Sequence, residues 1–245
     1  MRVYSYDRIE KEPFGLLAKV FFFGVLSCIP AAIIESLGEG LIYRIASSER
    51  MVSILTYLVL VPGAEEFVKY RALHTTWKNP EFNYTFDGII YGVMAALGFA
   101  TLENILYVIE FSELSTAIMR GLFSVPLHCT CGVFMGYFYG VARGQDARGN
   151  SVEKRKALRQ AITIPWLIHG CYDYSLDTES AGMLIFGLLL TLVVFFIASR
   201  QVRYASEHDE PIAADFQSVI APAPATRSPE GEFANKGTPP PPFNR

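Results

Sequence analysis

The chain is short of charge, and its cysteines form no pattern. Asp, Glu, Lys and Arg supply 18% of the 245 residues while apolar residues supply 51%, against ~25% charge in an average soluble domain. Mean hydropathy is +0.27. That balance excludes a disordered chain and most soluble enzymes. Cys28, Cys129, Cys131 and Cys171 all stand inside apolar segments, with no CxxC pair. They read as small packing residues, which excludes a secreted disulfide scaffold. No basic stripe is present, and the carriers of the net charge of −3 sit in loops and in the C-terminal tail; nucleic acid is not an expected partner. The opening MRVYSYDRIEKEP carries acids, and no small-residue cleavage site follows its first apolar run. It does not read as a removable signal peptide.

What is present is a series of long apolar runs. A membrane span needs ~20 mostly apolar residues, and six segments qualify: 14–36, 51–73, 87–109, 117–142, 157–177 and 181–200. The fifth is interrupted by Arg159, Gln160, His169 and Asp173, and is kept on charge parity. With the N-terminus inside, the inner ends collect fourteen Lys and Arg; the outer side holds Arg44, Arg50 and Arg120. Cytoplasmic loops show this excess, and deleting the fifth span would export Arg200 and Arg203. The sequence therefore predicts an all-α, polytopic membrane helix bundle of about six transmembrane helices, with N- and C-termini cytoplasmic. Residues 1–13 form a cytoplasmic N-terminal segment and 14–206 the membrane domain. Residues 207–245, with eight of the fourteen prolines, form a disordered Pro-rich cytoplasmic tail.

Several side chains stand in the wrong solvent. A charge among lipid-facing residues costs at least ~2.5–3.5 kcal/mol, so each needs a partner or a purpose. Glu65, Glu66, Lys69, Glu103, Asn104, His128, His169 and Asp173 are spread over four consecutive spans. One such residue is a packing polar group; this many predict a polar site inside the bundle. Glu65 and Lys69, and likewise His169 and Asp173, are four apart and share a helix face. The carboxylate of the second pair can orient its imidazole. Ser124, His128, Gly132, Gly136 and Gly140 form one ridge, and Gly88, Gly92, Ala96, Ala100 and Asn104 a matching one. Small-residue rows of this kind let helices approach closely.

Three chemistries fit this set. One of the adjacent glutamates can act as a general base. Histidines and a glutamate are also ligand types of a catalytic zinc site. Alternatively, the histidines stabilise an oxyanion while a glutamate activates water. All three lead to hydrolysis. Rival readings are a proton-coupled transporter or channel using the same residues, and a silent scaffold binding partner helices through the glycine ridges. HExxH and GxSxG are absent, as is the GxGD partner of a presenilin-type aspartyl pair.

Taken in order, Glu65-Glu66-x-x-Lys69, Phe99-x-x-x-Glu103, a lone His128 and His169-x-x-x-Asp173 resemble the PrsW intramembrane proteases. These are relatives of the CAAX prenyl endopeptidases and bacteriocin-processing enzymes. DRIEKEP, GIIYGVMAALGFATLENILY and HGCYD are similar to family segments as well, and the likeness covers roughly residues 5–200. The CAAX pattern, EExxxR, FxxxH and HxxxN, is not matched. The resemblance implies an endopeptidase of the bacterial cell (plasma) membrane, cutting a single-pass membrane protein such as an anti-sigma factor near its outer face. It implies Glu65 as the base activating water, with Glu66 assisting. Glu103, His128 and His169 would bind a metal, Zn(2+) being the candidate, or stabilise the oxyanion; Asp173 would orient His169. Asn104 and Arg120 read as structural.

Helix arithmetic sets a condition on this reading. At ~1.5 Å per residue, Glu65 lies ~21 Å from Met51 at the outer end. By the same rise Glu103 lies ~24 Å from Asp87 at the inner end, a different depth in a ~30 Å core. The motif reading nevertheless requires Glu65, Glu103, His128 and His169 to meet in one cavity.

Overall fold

The computed structural model describes residues 3–111, 118–178 and 180–212. Six long helices follow in order: α1 (Phe14–Ile45), α2 (Glu49–Thr76), α3 (Asp87–Phe111), α4 (Arg120–Ala147), α5 (Ser151–Asp177) and α6 (Ala181–Glu207). A one-turn helix, Val3–Tyr6, precedes them. The described residues contain no strand, only an isolated bridge between Tyr84 and Pro211.

Five of the six are long and apolar enough to cross a membrane; α5 is long enough but too polar along its first turns. It packs against α2, α4 and α6. The end of α6 returns to the segment before α1: Ser206 Oγ donates to the Tyr6 carbonyl, and Arg8 pairs with Glu207 at 3.9 Å. The protein is a multi-pass, all-helical membrane bundle.

Large apolar side chains point outward where lipid replaces water. Phe22, Leu26, Ile33 and Leu37 on α1 are exposed, as are Leu189, Leu192 and Phe196 on α6. α3 and α4 form the centre. Their facing rows are the predicted small-residue ridges, in contact: a Cβ on Gly92 would fall 2.4 Å from the Gly132 carbonyl oxygen. A Cβ on Gly136 would fall 2.1 Å from that of Gly88. Only hydrogen fits between these backbones.

Two helices contain π turns, and both precede a proline. Residues Ile54–Leu60 of α2 run up to Pro62, and Arg120–Ser124 of α4 to Pro126. Proline lacks the N–H for an i→i−4 bond, and its ring crowds the carbonyl four residues back. That carbonyl lies inside each π turn, where the wider coil relieves the crowding. A wider coil also advances less per residue, so Glu65 stands nearer the Glu49 end than α-helical counting gives.

The end at which α1 and α3 begin is tied by carboxylates. Asp87 accepts from the backbone N–H groups of Asn83 and Tyr84, and the Tyr91 hydroxyl donates to Glu12. The expected tail differs here from the structure. Asp209 caps the Phe86 N–H at 2.9 Å, Thr85 N–H donates to the Glu210 carbonyl, and Ile212 N–H to that of Asn83. With Ile212 buried, the packed chain extends to residue 212, because backbone pairing and one apolar anchor suffice to hold a polar segment. The remainder of the predicted tail, 213–245, lies outside the described residues.

Gly136→Val is expected to destabilise the bundle by about 1–3 kcal/mol, the usual cost of overpacking, as a lowered unfolding temperature in detergent micelles. A second expectation concerns pH. Burial pushes the Glu12 carboxyl up from 4.5 to about 7, against the Tyr91 and Asp87 hydrogen bonds. Between those values the folded chain keeps a proton that the unfolded chain releases. The part of the stability that Glu12 governs should therefore fall as pH rises from 4.5 to about 7. Glu12→Gln should flatten that slope in thermal unfolding across the same range.

Candidate active site

Four helices deliver one polar cluster to the interior of the bundle. From α2, the i+3 and i+4 spacing turns Glu65, Glu66 and Lys69 to one side. The Lys69 ammonium, fully buried, donates to Glu65 Oε2 at 2.9 Å, Glu66 Oε1 at 2.8 Å and His128 Nδ1 at 2.9 Å. An ammonium has three donors; all three are used. The face of Phe99 on α3 lies 4.2 Å from the same nitrogen, a cation–π contact.

The two imidazoles share one orientation. His128, brought in by the α4 glycine ridge, turns Nδ1 inward and has Nε2 2.9 Å from Glu103 Oε2. His169 on α5 turns Nδ1 to Glu66 Oε1 at 2.9 Å, with Nε2 3.3 Å from Asp173 Oδ2. Each ring is thus backed by a carboxylate; His128 Nδ1 accepts from Lys69, while His169 stands between two carboxylates, Glu66 and Asp173. The rings meet edge to face with centroids 4.9 Å apart.

Depths agree. Glu103 stands eight residues before Phe111, His128 eight after Arg120, and His169 eight before Asp177. At ~1.5 Å per residue that is ~12 Å from the end of the bundle opposite the start of α1. Glu65 stands at the same level, its Oε2 3.8 Å from His169 Nδ1. The convergence required by the motif reading is present.

A model of the PrsW family, described as an intramembrane metalloprotease family, matches residues 12–199. The chain belongs to the PrsW family of intramembrane proteases. Protease PrsW of Geobacillus kaustophilus (strain HTA426) is 32% identical over 214 residues, 86% of this chain and 88% of the relative. Protease PrsW of Bacillus subtilis (strain 168) is 33% identical over 178 residues, 72% and 77% of the two chains. That of Clostridioides difficile (strain 630) is 30% identical over 85% and 87%. No solved structure matches. Membership of PrsW makes the chain an intramembrane protease and sets aside the transporter and scaffold readings.

The PrsW description names a metal, and the donor set fits one. Glu65, Glu66, His128 and His169 each offer a ligand atom, all within 4.8 Å of one another. Two imidazoles and two carboxylates are zinc ligand types. Charge points the same way. With Glu65, Glu66, Glu103 and Asp173 ionised, two fixed cations, Lys69 and Arg120, face four carboxylates. Two negative charges remain, which one divalent cation or two protons would balance. Glu66 Oε2 is buried with no hydrogen-bond partner.

The geometry sorts the PrsW residues differently from the expected ligand trio. His128 and His169 are in the donor set, but Glu103 stands behind His128, outside it. Glu65 and Glu66 take the inner positions. Asp173 lies behind His169.

Two further residues adjoin the site. Arg120, read from sequence as structural, pairs with Glu103 Oε1 at 2.8 Å and donates from Nε to Asn104 Oδ1 at 2.8 Å. Its guanidinium lies 3.6 Å from the Tyr107 ring centre. Glu35 on α1 continues the buried face of Gly24, Cys28 and Ala31. It lies within electrostatic reach of Glu65, Glu103 and Lys69, and its Oε1 is buried without a hydrogen-bond partner. The rule that flagged the other eight, a charge inside an apolar span, applies equally to Glu35.

Arg120→Gln is expected to slow substrate cleavage about 10–100-fold, as losses behind a ligand generally do. In a Glu103→Gln background the same change should add little, because both act on His128 through one chain of contacts. Cleavage rates of the four proteins measure this.

Proposed function

We propose that the protein hydrolyses a peptide bond of a single-pass membrane protein near the outer face of the bacterial cell membrane. The reading rests on one observation: Glu65, Glu66, His128 and His169, from three helices, share one buried centre. Glu65 is the base. Its side chain is 6% exposed, whereas those of Glu66 and Lys69 are fully enclosed, so Glu65 is the carboxylate of the pair that water can reach. Glu66, held by Lys69 and His169, is a positioning group.

Glu65 takes a proton from water as the water oxygen attacks the scissile carbonyl carbon. It returns that proton to the amide nitrogen as the C–N bond breaks, leaving a carboxylate and an amine. The positive field of Lys69 stabilises the negative charge that collects on the former carbonyl oxygen. Asp173 and Glu103 hold the imidazoles of His169 and His128 in position. A divalent cation such as Zn(2+), held by Glu66, His128 and His169, would supply Lewis acidity and acidify bound water, with Glu65 beside it as the base.

Excess Lys and Arg mark the end at which α1 begins as cytoplasmic, so the site lies toward the outer leaflet. The relatives' organisms are bacterial, which supports an anti-sigma-factor-like substrate, the first cut in a signalling cascade.

Glu65→Gln should lower cleavage about 10²–10⁴-fold, the usual contribution of a general base. Terminal proteomics on membranes carrying wild type or Glu65→Gln would check it. New N-termini near the outer ends of single-span proteins should appear with the wild type alone. Matching sets, with both proteins folded and any trigger supplied, would overturn the reading.

A further inference from the structure

The donor set already holds a cation, the ammonium of Lys69. We infer that Lys69 competes with a divalent cation for this centre. It holds Glu65, Glu66 and His128 together when no ion is bound, and surrenders them when one binds. The inference rests on the hydrolytic reading of the cluster and concerns how that site is loaded.

The contacts of Lys69 are the ground for it. A lysine serving only as counter-charge to one glutamate would need one contact. Lys69 makes three, at 2.9, 2.8 and 2.9 Å, to three of the four residues of the donor set. Zinc bonds nitrogen and oxygen at ~2.0–2.2 Å along the same lone pairs. An ion seated on those atoms would stand closer to the ammonium than van der Waals contact, cation against cation. Both cannot be held. The displaced ammonium has another partner in reach, the Phe99 face 4.2 Å away, on a stem of four flexible carbons.

The rival arrangement is specific. Glu66 Oε2 has no hydrogen-bond partner, and an ion seated on it and on His169 would leave the ammonium in place. Lys69 would then repel the ion without sharing its ligands. Removing the charge tightens binding in either case, but competition alone frees His128 Nδ1 for the ion. The two arrangements therefore separate when His128 is absent.

The experiment measures zinc binding to the full chain in detergent micelles, by competition with a chromogenic chelator. The proteins are wild type, Lys69→Met, His128→Ala and the double variant. Competition predicts a Kd at least tenfold lower for Lys69→Met than for wild type, and a clearly smaller gain in the His128→Ala background. Lys69→Met should also unfold at lower temperature than wild type without metal, and recover when zinc is added. Lys69→Gln, which keeps a donor and loses the charge, replaces Lys69→Met if the latter does not fold. An unchanged Kd overturns the inference; so does a gain undiminished without His128. Zinc binding needs no substrate, so Glu65-dependent cleavage, scored separately, tells failure here from failure of the hydrolytic reading.

Discussion

Everything at the centre of this bundle depends on keeping ionised groups out of contact with hydrocarbon. Two adjacent glutamates on one helix would repel in a medium that screens little. The Lys69 ammonium between them turns that repulsion into a bridge, and its third hydrogen bond reaches across to α4. Glu66 is thereby fixed as a partner for His169 on α5. One buried cation thus links three helices, and the carboxylates behind the imidazoles extend the network to Arg120 and Asp173. Breaking a buried pair costs more than making it gains, since the abandoned charge has no solvent to turn to. Such a network is an all-or-nothing arrangement, suited to a site whose atoms must hold their positions.

Backbone devices make that network possible. Glutamate and histidine side chains are short, so helices carrying them must nearly touch. The glycine ridges bring α3 and α4 together, and with them Glu103 and His128. The π turns before Pro62 and Pro126 act at the other two approaches, shifting the register of Glu65 in one helix and placing Arg120 over Glu103 in the other. Far from the chemistry, Asp87 and Asp209 anchor the beginning of α3, and Glu12 ties it to the N-terminal segment. The helix that presents Glu103 is therefore held at its beginning.

Legibility from sequence varied with the kind of force involved. Burial of apolar surface is a sum over residues, so span lengths, the all-helical class and even the weak fifth helix could be read from composition and charge parity. The ion-pairing residues betrayed themselves by standing in the wrong solvent, and helical spacing paired Glu65 with Lys69 and His169 with Asp173. Glu35 escaped because it stands at the end of the predicted span 14–36, where a charge can reach the interface. Residues 208–212 escaped because their docking relies on backbone hydrogen bonds, which carry no side-chain signature.

The sequence by itself determined which groups enter the membrane and which helix face each occupies, because both follow from local spacing and the cost of desolvation. Only the tertiary structure decided their order around the centre. It placed Glu66 inside and Glu103 behind His128, made Arg120 the brace of Glu103, and set Lys69 among the would-be metal ligands. Those outcomes depend on the rotation and depth of one helix against another. A π turn or a glycine contact shifts these by ångströms, and no pattern within a single helix records the distance to its neighbour.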